Sequence, residues 1–175
     1  LQTNIYFKFT KKLKAKLRIW AGGFLDAIDL PRQYRTYLSG NIDPDFRNNY
    51  LFNRTADVND ASIGTRQYDI GGPSLHGLIL DENSKMLGVD SWVISANFEM
   101  NIPKVSGKPF MDYAIIPRGD SYFDFGLKKT FGPLSIIMPL YQSWDETPFV
   151  TDTDWVLDRL RFSLTISGFN ARSMF

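Results

Sequence analysis

Apolar and polar residues alternate with a period of two along much of this chain. The alternation is clearest in residues 4–10, 12–20, 92–102 and 160–167, and it is looser in residues 110–116, 121–129 and 134–141. Successive side chains of a β-strand point to opposite faces, so each stretch predicts a strand with one apolar and one polar face. No stretch of useful length has helical periodicity. The pattern predicts an all-β fold.

The lengths and connections of these strands indicate a membrane barrel. We predict strands at about 3–10, 12–21, 89–102, 109–117, 121–129, 133–141 and 156–168. Several reach about 9–11 residues, the length of a tilted strand that crosses a bilayer. Short turns alternate with longer connections, of which the longest covers about 22–88. Short turns at one end and long loops at the other are typical of an antiparallel transmembrane β-barrel of the bacterial outer membrane.

The barrel hypothesis assigns a direction to individual side chains. Apolar residues of the strands should face lipid, and polar residues should face the interior. We expect outward-facing side chains at Ile94, Phe98, Leu164 and Ile166. We expect inward-facing side chains at Glu99, Ser163 and Thr165.

Composition excludes several classes of function. The chain has 175 residues, 20 basic and 19 acidic, with a formal net charge of +1, which argues against a nucleic-acid partner. It has no cysteine and one histidine, so disulfides, cysteine-based zinc sites and two-histidine metal sites are excluded. No run of about 18 apolar residues is present, which excludes a transmembrane helix. We expect no enzymatic activity, no cofactor and no metal ion.

Sequence motifs from residue 65 onward carry a resemblance to a known family. The loop contains Thr65-Arg66-Gln67-Tyr68, a strand with Glu99 follows, and Phe110-Met111-Asp112 begins the next strand. A hairpin with a Gly-Pro turn then covers 126–140, and the final strand covers 161–169 and ends in Phe169. In this order and spacing, the motifs resemble those of the BamA/TamA superfamily of outer-membrane insertases and translocases.

The resemblance implies a loop that is held inside the barrel. In this family, an arginine and an aromatic residue at the tip of the longest extracellular loop fold back into the lumen. Arg66 and Tyr68 match these positions, and the resemblance implies that Arg66 faces the inward carboxylates of Glu99 and Asp112. An arginine fork binds two carboxylates through charge-assisted hydrogen bonds, so this loop-lock network would fix the loop.

The resemblance also implies a function for the last strand. The family barrel has about sixteen strands, an even number as in other bacterial barrels, so residues 1–175 would be its C-terminal part. The remaining strands and any periplasmic domains would lie outside this chain. Phe162, Leu164, Ile166, Gly168 and Phe169 would form the seam and signal strand, whose terminal aromatic residue is either Phe169 or Phe175.

The implied function is the assembly and insertion of outer-membrane proteins, or protein translocation, at the bacterial cell outer membrane. The implied partners are outer-membrane lipids, lipopolysaccharide, client outer-membrane proteins, the remaining barrel strands and accessory subunits. Two alternatives stay open. The barrel is a membrane anchor for a larger surface or periplasmic enzyme, or the chain is a soluble ligand-binding β-barrel.

Other polar clusters have simpler interpretations. Ser74-Leu75-His76 lacks the sharp strand-to-helix turn of a nucleophile elbow, so we interpret both polar residues as ordinary loop residues. We interpret the basic face as a solvated wall of the lumen and the acidic loop as a solvated loop rather than a calcium site. The basic face comprises Lys12, Lys14, Lys16 and Arg18, and the acidic loop contains Asp145, Glu146, Asp152 and Asp154.

Overall fold

The chain folds around one antiparallel sheet. The computed structural model describes residues 1–24, 30, 35–38, 71–78, 88–144 and 148–164, with the backbone alone at Gly88, Arg118 and Leu164. The main sheet has seven strands: β1 (Gln2–Lys8), β2 (Lys14–Gly23), β5 (Trp92–Asn101), β6 (Lys108–Ile115), β7 (Ser121–Phe131), β8 (Leu134–Gln142) and β9 (Arg161–Leu164). A separate two-stranded ladder pairs β3 (Thr36–Tyr37) with β4 (Gly88–Val89).

The topology confirms the all-β prediction. Strands are ordered β1-β2-β5-β6-β7-β8-β9, and every neighbouring pair is antiparallel. The long connection lies between β2 and β5, which are hydrogen-bonded neighbours despite their distance in sequence. Because the order in the sheet follows the chain, every second connection lies at the same end of the sheet.

A short helix replaces the start of the last predicted strand. The prediction of strand structure at 156–160 is wrong, because α1 covers Thr153–Arg159 and β9 begins only at Arg161. Asp152 caps this helix, since its Oδ1 accepts a hydrogen bond from the Trp155 backbone N–H at 2.8 Å. The guanidinium of Arg159 lies 4.2 Å from the centre of the buried Trp155 ring. Among the described residues, no helix is long and apolar enough to cross a membrane.

The two faces of the sheet differ in character. We call the face that contacts residues 71–78 the inner face and the opposite one the outer face. Ser95 and Asn97 are buried on the inner face. Ile94, which precedes Ser95 in β5, is 47% exposed on the outer face. The register and the contacts of the inner face place Ile94 and Phe98 on the outer face and Glu99 and Ser163 on the inner face, so the predicted division between the two faces holds. Thr165, Ile166 and the side chain of Leu164 lie outside the described residues.

The largest cluster of buried apolar side chains lies on the inner face, between the sheet and the long connection. Its members are Leu38, Leu75, Leu78, Val89, Val93 and Ala114. Leu75 joins its backbone N–H to the Leu38 carbonyl at 2.9 Å, which ties two parts of the long connection together. The core therefore depends on residues that the connection supplies to the sheet, and it holds residues 71–78 against the inner face.

Candidate functional site

A polar row crosses six strands of the inner face at one level. The strand register places Asn4, Arg18, Asn97, Asp112, Asp124 and Gln142 directly opposite one another, each beside the next. All but Asn4 are buried. Buried charged and amide groups are costly unless they are hydrogen-bonded, so this row requires partners on its open side.

Residues 71–78, here called the inner segment, supply those partners. Their first half binds the strands nearer the start of the chain. The carbonyl of Gly72 accepts a hydrogen bond from Arg18 Nη2 at 2.5 Å, and the carbonyl of Pro73 accepts one from Ser95 Oγ at 3.0 Å. The carbonyl of Ser74 accepts a hydrogen bond from Asn97 Nδ2 at 2.9 Å. The inner segment thus passes from β2 at Gly72 to β5 at Pro73 and Ser74.

The second half of the inner segment binds the later strands. Backbone N–H groups of His76 and Gly77 donate to Asp112 Oδ2 and Asp124 Oδ2, each at 2.5 Å. Gln142 Nε2 donates to the Gly77 carbonyl at 2.6 Å. From β9, Arg161 Nη1 donates to the carbonyls of Leu75 and His76 at 3.0 and 2.9 Å. Side chains from β2 to β9 therefore satisfy the backbone of one short, buried segment.

Close packing explains the glycine at position 77. A Cβ added there would lie 2.3 Å from Asp124 Oδ2 and 3.1 Å from Gln142 Nε2. Contacts below about 3 Å are repulsive, so a side chain at this position would push the segment away from the polar row. The backbone of Gly77 lies close enough to β7 and β8 to be held by both.

The His76 imidazole bridges two carboxylates on the inner face. Its Nδ1 lies 2.8 Å from Asp112 Oδ2, and its Nε2 lies 3.1 Å from Glu99 Oε1. Lys128 Nζ donates to Glu99 Oε1 at 2.7 Å and lies 3.3 Å from His76 Nε2. The Phe110 ring covers the imidazole with a centroid distance of 4.7 Å. A histidine between two carboxylates donates from both nitrogens when it is protonated.

The electrostatics favour this protonated form. Burial alone lowers the pKa of His76, and the nearby Lys128 charge lowers it further. The charge of Asp112 and the hydrogen bonds that His76 donates to Asp112 and Glu99 outweigh both effects, so the pKa of His76 is raised above its ordinary value. The imidazolium then adds a positive charge to the inner face, beside those of Lys128 and Arg161.

Two of the four predicted loop-lock residues meet at this histidine. Glu99 and Asp112 both lie on the inner face, and both bind His76. Arg66 and Tyr68 lie outside the described residues, so their part in the network stays a prediction. On β9, Phe162 pairs with Ile136 and the Leu164 backbone with Leu134, whereas Ile166, Gly168, Phe169 and Phe175 lie outside the described residues.

Other interpretations from the sequence need correction. Arg18 is not part of a solvated wall, because it is buried and donates to Asn97 Oδ1 at 2.7 Å as well as to Gly72. His76 is not an ordinary loop residue, since it is buried at the centre of the network. Asp152 of the acidic loop caps α1.

The site acts as a structural clamp, because side chains of successive strands hold the inner segment through hydrogen bonds to its backbone. Ser74 Oγ accepts from the Gly71 backbone N–H at 2.8 Å and donates to the Gly71 carbonyl. Both ring nitrogens of His76 already face carboxylates. Among the residues that the structure describes, no group of His, Asp and Glu side chains is arranged to hold a metal ion.

Sequence reasoning missed most of the row. Asp124 was recognisable in principle, because it stands between Phe123 and Phe125 on the polar side of an alternating strand. Arg161 begins β9 and Gln142 ends β8. A polar residue at the end of a strand is common, so neither position indicated a buried partner. His76 gave no signal beyond its glycine-rich surroundings.

Comparisons of this chain with known proteins found no relative. A scan against protein-family models, a search of curated proteins and a search of solved structures each found no match to the chain.

Proposed function

We propose that this chain forms part of an outer-membrane β-barrel that assembles and inserts other membrane proteins or translocates proteins. The observation that carries the proposal is the distribution of residues between the two faces. Charged and amide groups are collected on the inner face around a buried segment, beside the apolar cluster of the core, and the outer face is apolar and partly exposed. A water-soluble sheet with one buried face instead carries polar residues on its exposed face.

The outer face supports a lipid environment. A row directly behind the polar row contains Ile5, Leu17, Phe98, Met111, Phe125 and Tyr141, one residue from each of six consecutive strands. Met111 in this row is 46% exposed, although it lies in the middle of the sheet. A continuous apolar face across six strands is costly in water, and it is matched by the hydrocarbon of a bilayer.

The sheet edges support a larger barrel. Within the described residues, β1 pairs only with β2, and β9 pairs only with β8. Unpaired backbone groups of an edge strand cannot face lipid, so further strands would complete the wall on both sides. In the proposed mechanism, the last strand separates from its neighbour across the closure, and a strand of the client protein pairs with the exposed edge.

The inner segment has a defined part in this mechanism. It is bound from β2 to β9, so it holds successive strands of the wall at fixed positions while the seam opens. The insertase or translocase activity itself draws on the resemblance of the sequence motifs to the BamA/TamA superfamily. The apolar outer face favours a membrane barrel over a soluble ligand-binding barrel.

The test is client insertion by the complete barrel that contains this chain. The barrel is reconstituted in vesicles, and folding of a small outer-membrane protein is followed by its change in gel mobility without heating. We expect faster client folding than in empty vesicles. Residues 1–175 contain no cysteine, so a cysteine pair placed between β9 and its neighbour across the closure meets no competing thiol from this part of the barrel. Oxidation should stop client folding, and reduction should restore it.

Two outcomes contradict the proposal in different ways. A barrel that folds in lipid but does not accelerate client folding, or keeps full activity with the seam closed, is a membrane anchor. A protein that is monodisperse and folded in water without detergent is a soluble β-barrel.

A further inference from the structure

We propose that the short-turn end of the sheet is a binding surface for anionic phospholipid headgroups. The β1–β2, β5–β6 and β7–β8 turns all lie at this end because the strands are antiparallel and in chain order. We call these turns with the adjoining strand ends the basic end. The inference rests on the proposed membrane location and adds a lipid class to it.

The charge of the basic end has one sign. Its exposed lysines are Lys8, Lys11, Lys12, Lys14, Lys104, Lys108 and Lys129. Residues 8–14, 101–108 and 128–134 contain no aspartate and no glutamate. In the described part of the chain, none of these lysines is within ion-pair distance of a carboxylate. The basic end therefore presents a concentrated positive field without an internal counter-charge.

The strand register increases the repulsion within this field. Lys8 lies directly opposite Lys14 at the end of the β1–β2 hairpin, and neither lysine is within ion-pair distance of a carboxylate of the described residues. Like charges placed opposite one another across two strands are destabilising. An anion that binds between such lysines removes this repulsion. The favoured anion is one that reaches several turns at once, as a layer of headgroups does.

Exposed apolar side chains among the lysines favour a membrane surface over an acidic polypeptide. Phe9 is 62% exposed in the first turn, and Phe131 is 51% exposed beside the third. Lys129 Nζ lies 5.1 Å from the centre of the Phe131 ring. Aromatic rings are stable at the boundary between headgroups and acyl chains, where neighbouring lysines extend their ammonium groups to the phosphates.

The opposite end of the sheet has a different charge. Its described connections carry Asp90, Asp120, Asp152, Asp154 and Asp158, against Arg35, Arg118 and Arg159. The two ends would therefore meet different headgroup chemistry. The phosphodiester of a phospholipid with a net negative charge fits the basic end.

The test compares lipid preference in nanodiscs that contain the complete barrel. Spin-labelled phosphatidylglycerol and spin-labelled phosphatidylcholine are measured separately in a phosphatidylcholine background. We expect phosphatidylglycerol to associate at least about tenfold more strongly, since each lysine near an anionic surface contributes about fivefold. The variant K11Q/K12Q/K104Q/K108Q should lose most of this preference. The matched variant with arginine at the same positions should keep it, and 0.5 M salt should weaken it.

Other arms separate the sources of the effect. Inorganic phosphate at 10 mM should not displace the labelled lipid, because a free anion contacts one turn only. Equal association of both lipids with a folded, membrane-inserted barrel overturns the inference. Displacement by soluble polyglutamate, without a preference for phosphatidylglycerol, also overturns it and assigns the surface to an acidic protein.

Failure of the membrane proposal is recognised separately. If the protein stays folded in water, flotation with phosphatidylglycerol vesicles tests the same lysines on the soluble protein. Flotation of the unchanged protein but not of the glutamine variant then supports the basic end without the barrel. Absence of flotation overturns the inference as well.

Discussion

Asp112 holds His76 by its backbone and by its side chain at the same time. Its Oδ2 accepts from the His76 backbone N–H at 2.5 Å and lies 2.8 Å from the imidazole Nδ1. Oδ1 of the same carboxylate accepts from Asn97 at 3.0 Å. One buried carboxylate on β6 therefore joins the inner segment to β5.

Replacing Asp112 by asparagine should release the inner segment. The variant keeps the shape of the side chain but leaves His76 and its backbone with a weaker acceptor, and loss of one partner of a buried pair costs about 3–5 kcal/mol. We expect a lower urea midpoint and faster proteolysis within 71–78. Asp120→Asn is the control, since Asp120 is exposed. Equal protease resistance in both variants would contradict the clamp.

Replacing Gly77 by alanine should weaken the contact between the inner segment and Asp124 through steric repulsion. The added methyl would lie 2.3 Å from Asp124 Oδ2, so either the segment or the carboxylate must move. We expect a loss of about 1–3 kcal/mol in the free energy of unfolding, measured with urea. Gly132→Asn is the control, because Gly132 has φ of 58° with open space around it, which asparagine tolerates. If Gly77→Ala left the free energy of unfolding unchanged, the inner segment would lie further from β7 than the structure places it, which would contradict the close contact.

Stability should fall as the pH rises through the pKa of His76. The folded protein raises this pKa above the ordinary value of 6.5. The folded state thus binds the proton more tightly than the unfolded state does. The stabilisation is complete below pH 6.5 and is lost as the pH rises through the folded value. We expect the unfolding free energy to decrease from pH 6 upward, and His76→Gln to remove that part of the dependence. A stability that increases over this range would contradict the protonated bridge.

Arginine on the two faces of β1 should have unequal effects in a membrane. Ile5 belongs to the outer face and its neighbour Tyr6 to the inner face, since Tyr6 pairs with Lys16 in the row of Glu99. Ile5→Arg should cost about 2–4 kcal/mol in a lipid folding assay, and Tyr6→Arg much less. Equal small costs would show that the outer face of β1 is in contact with water.

The period-two alternation was sufficient to predict the class of fold, the seven main strands and the faces of Ile94, Phe98 and Glu99. This succeeded because the direction of a side chain in a strand depends only on its own position in the chain. It failed at 156–160, where Asp152 caps a helix and Trp155 is buried. A cap and one buried ring outweigh a weak local pattern over so few residues.

The clamp was decided by tertiary structure. Arg18, Asn97, Asp112 and Asp124 form a row only because the strand pairing brings them to one level, and a shift by one residue would turn a strand's polar residues to the outer face. His76 is 23 and 36 residues away from the two carboxylates that it bridges. The amino-acid sequence alone specifies which residues are polar and on which face of each strand they lie. Register and the docking of the inner segment determined which of them meet, because both depend on contacts between distant parts of the chain.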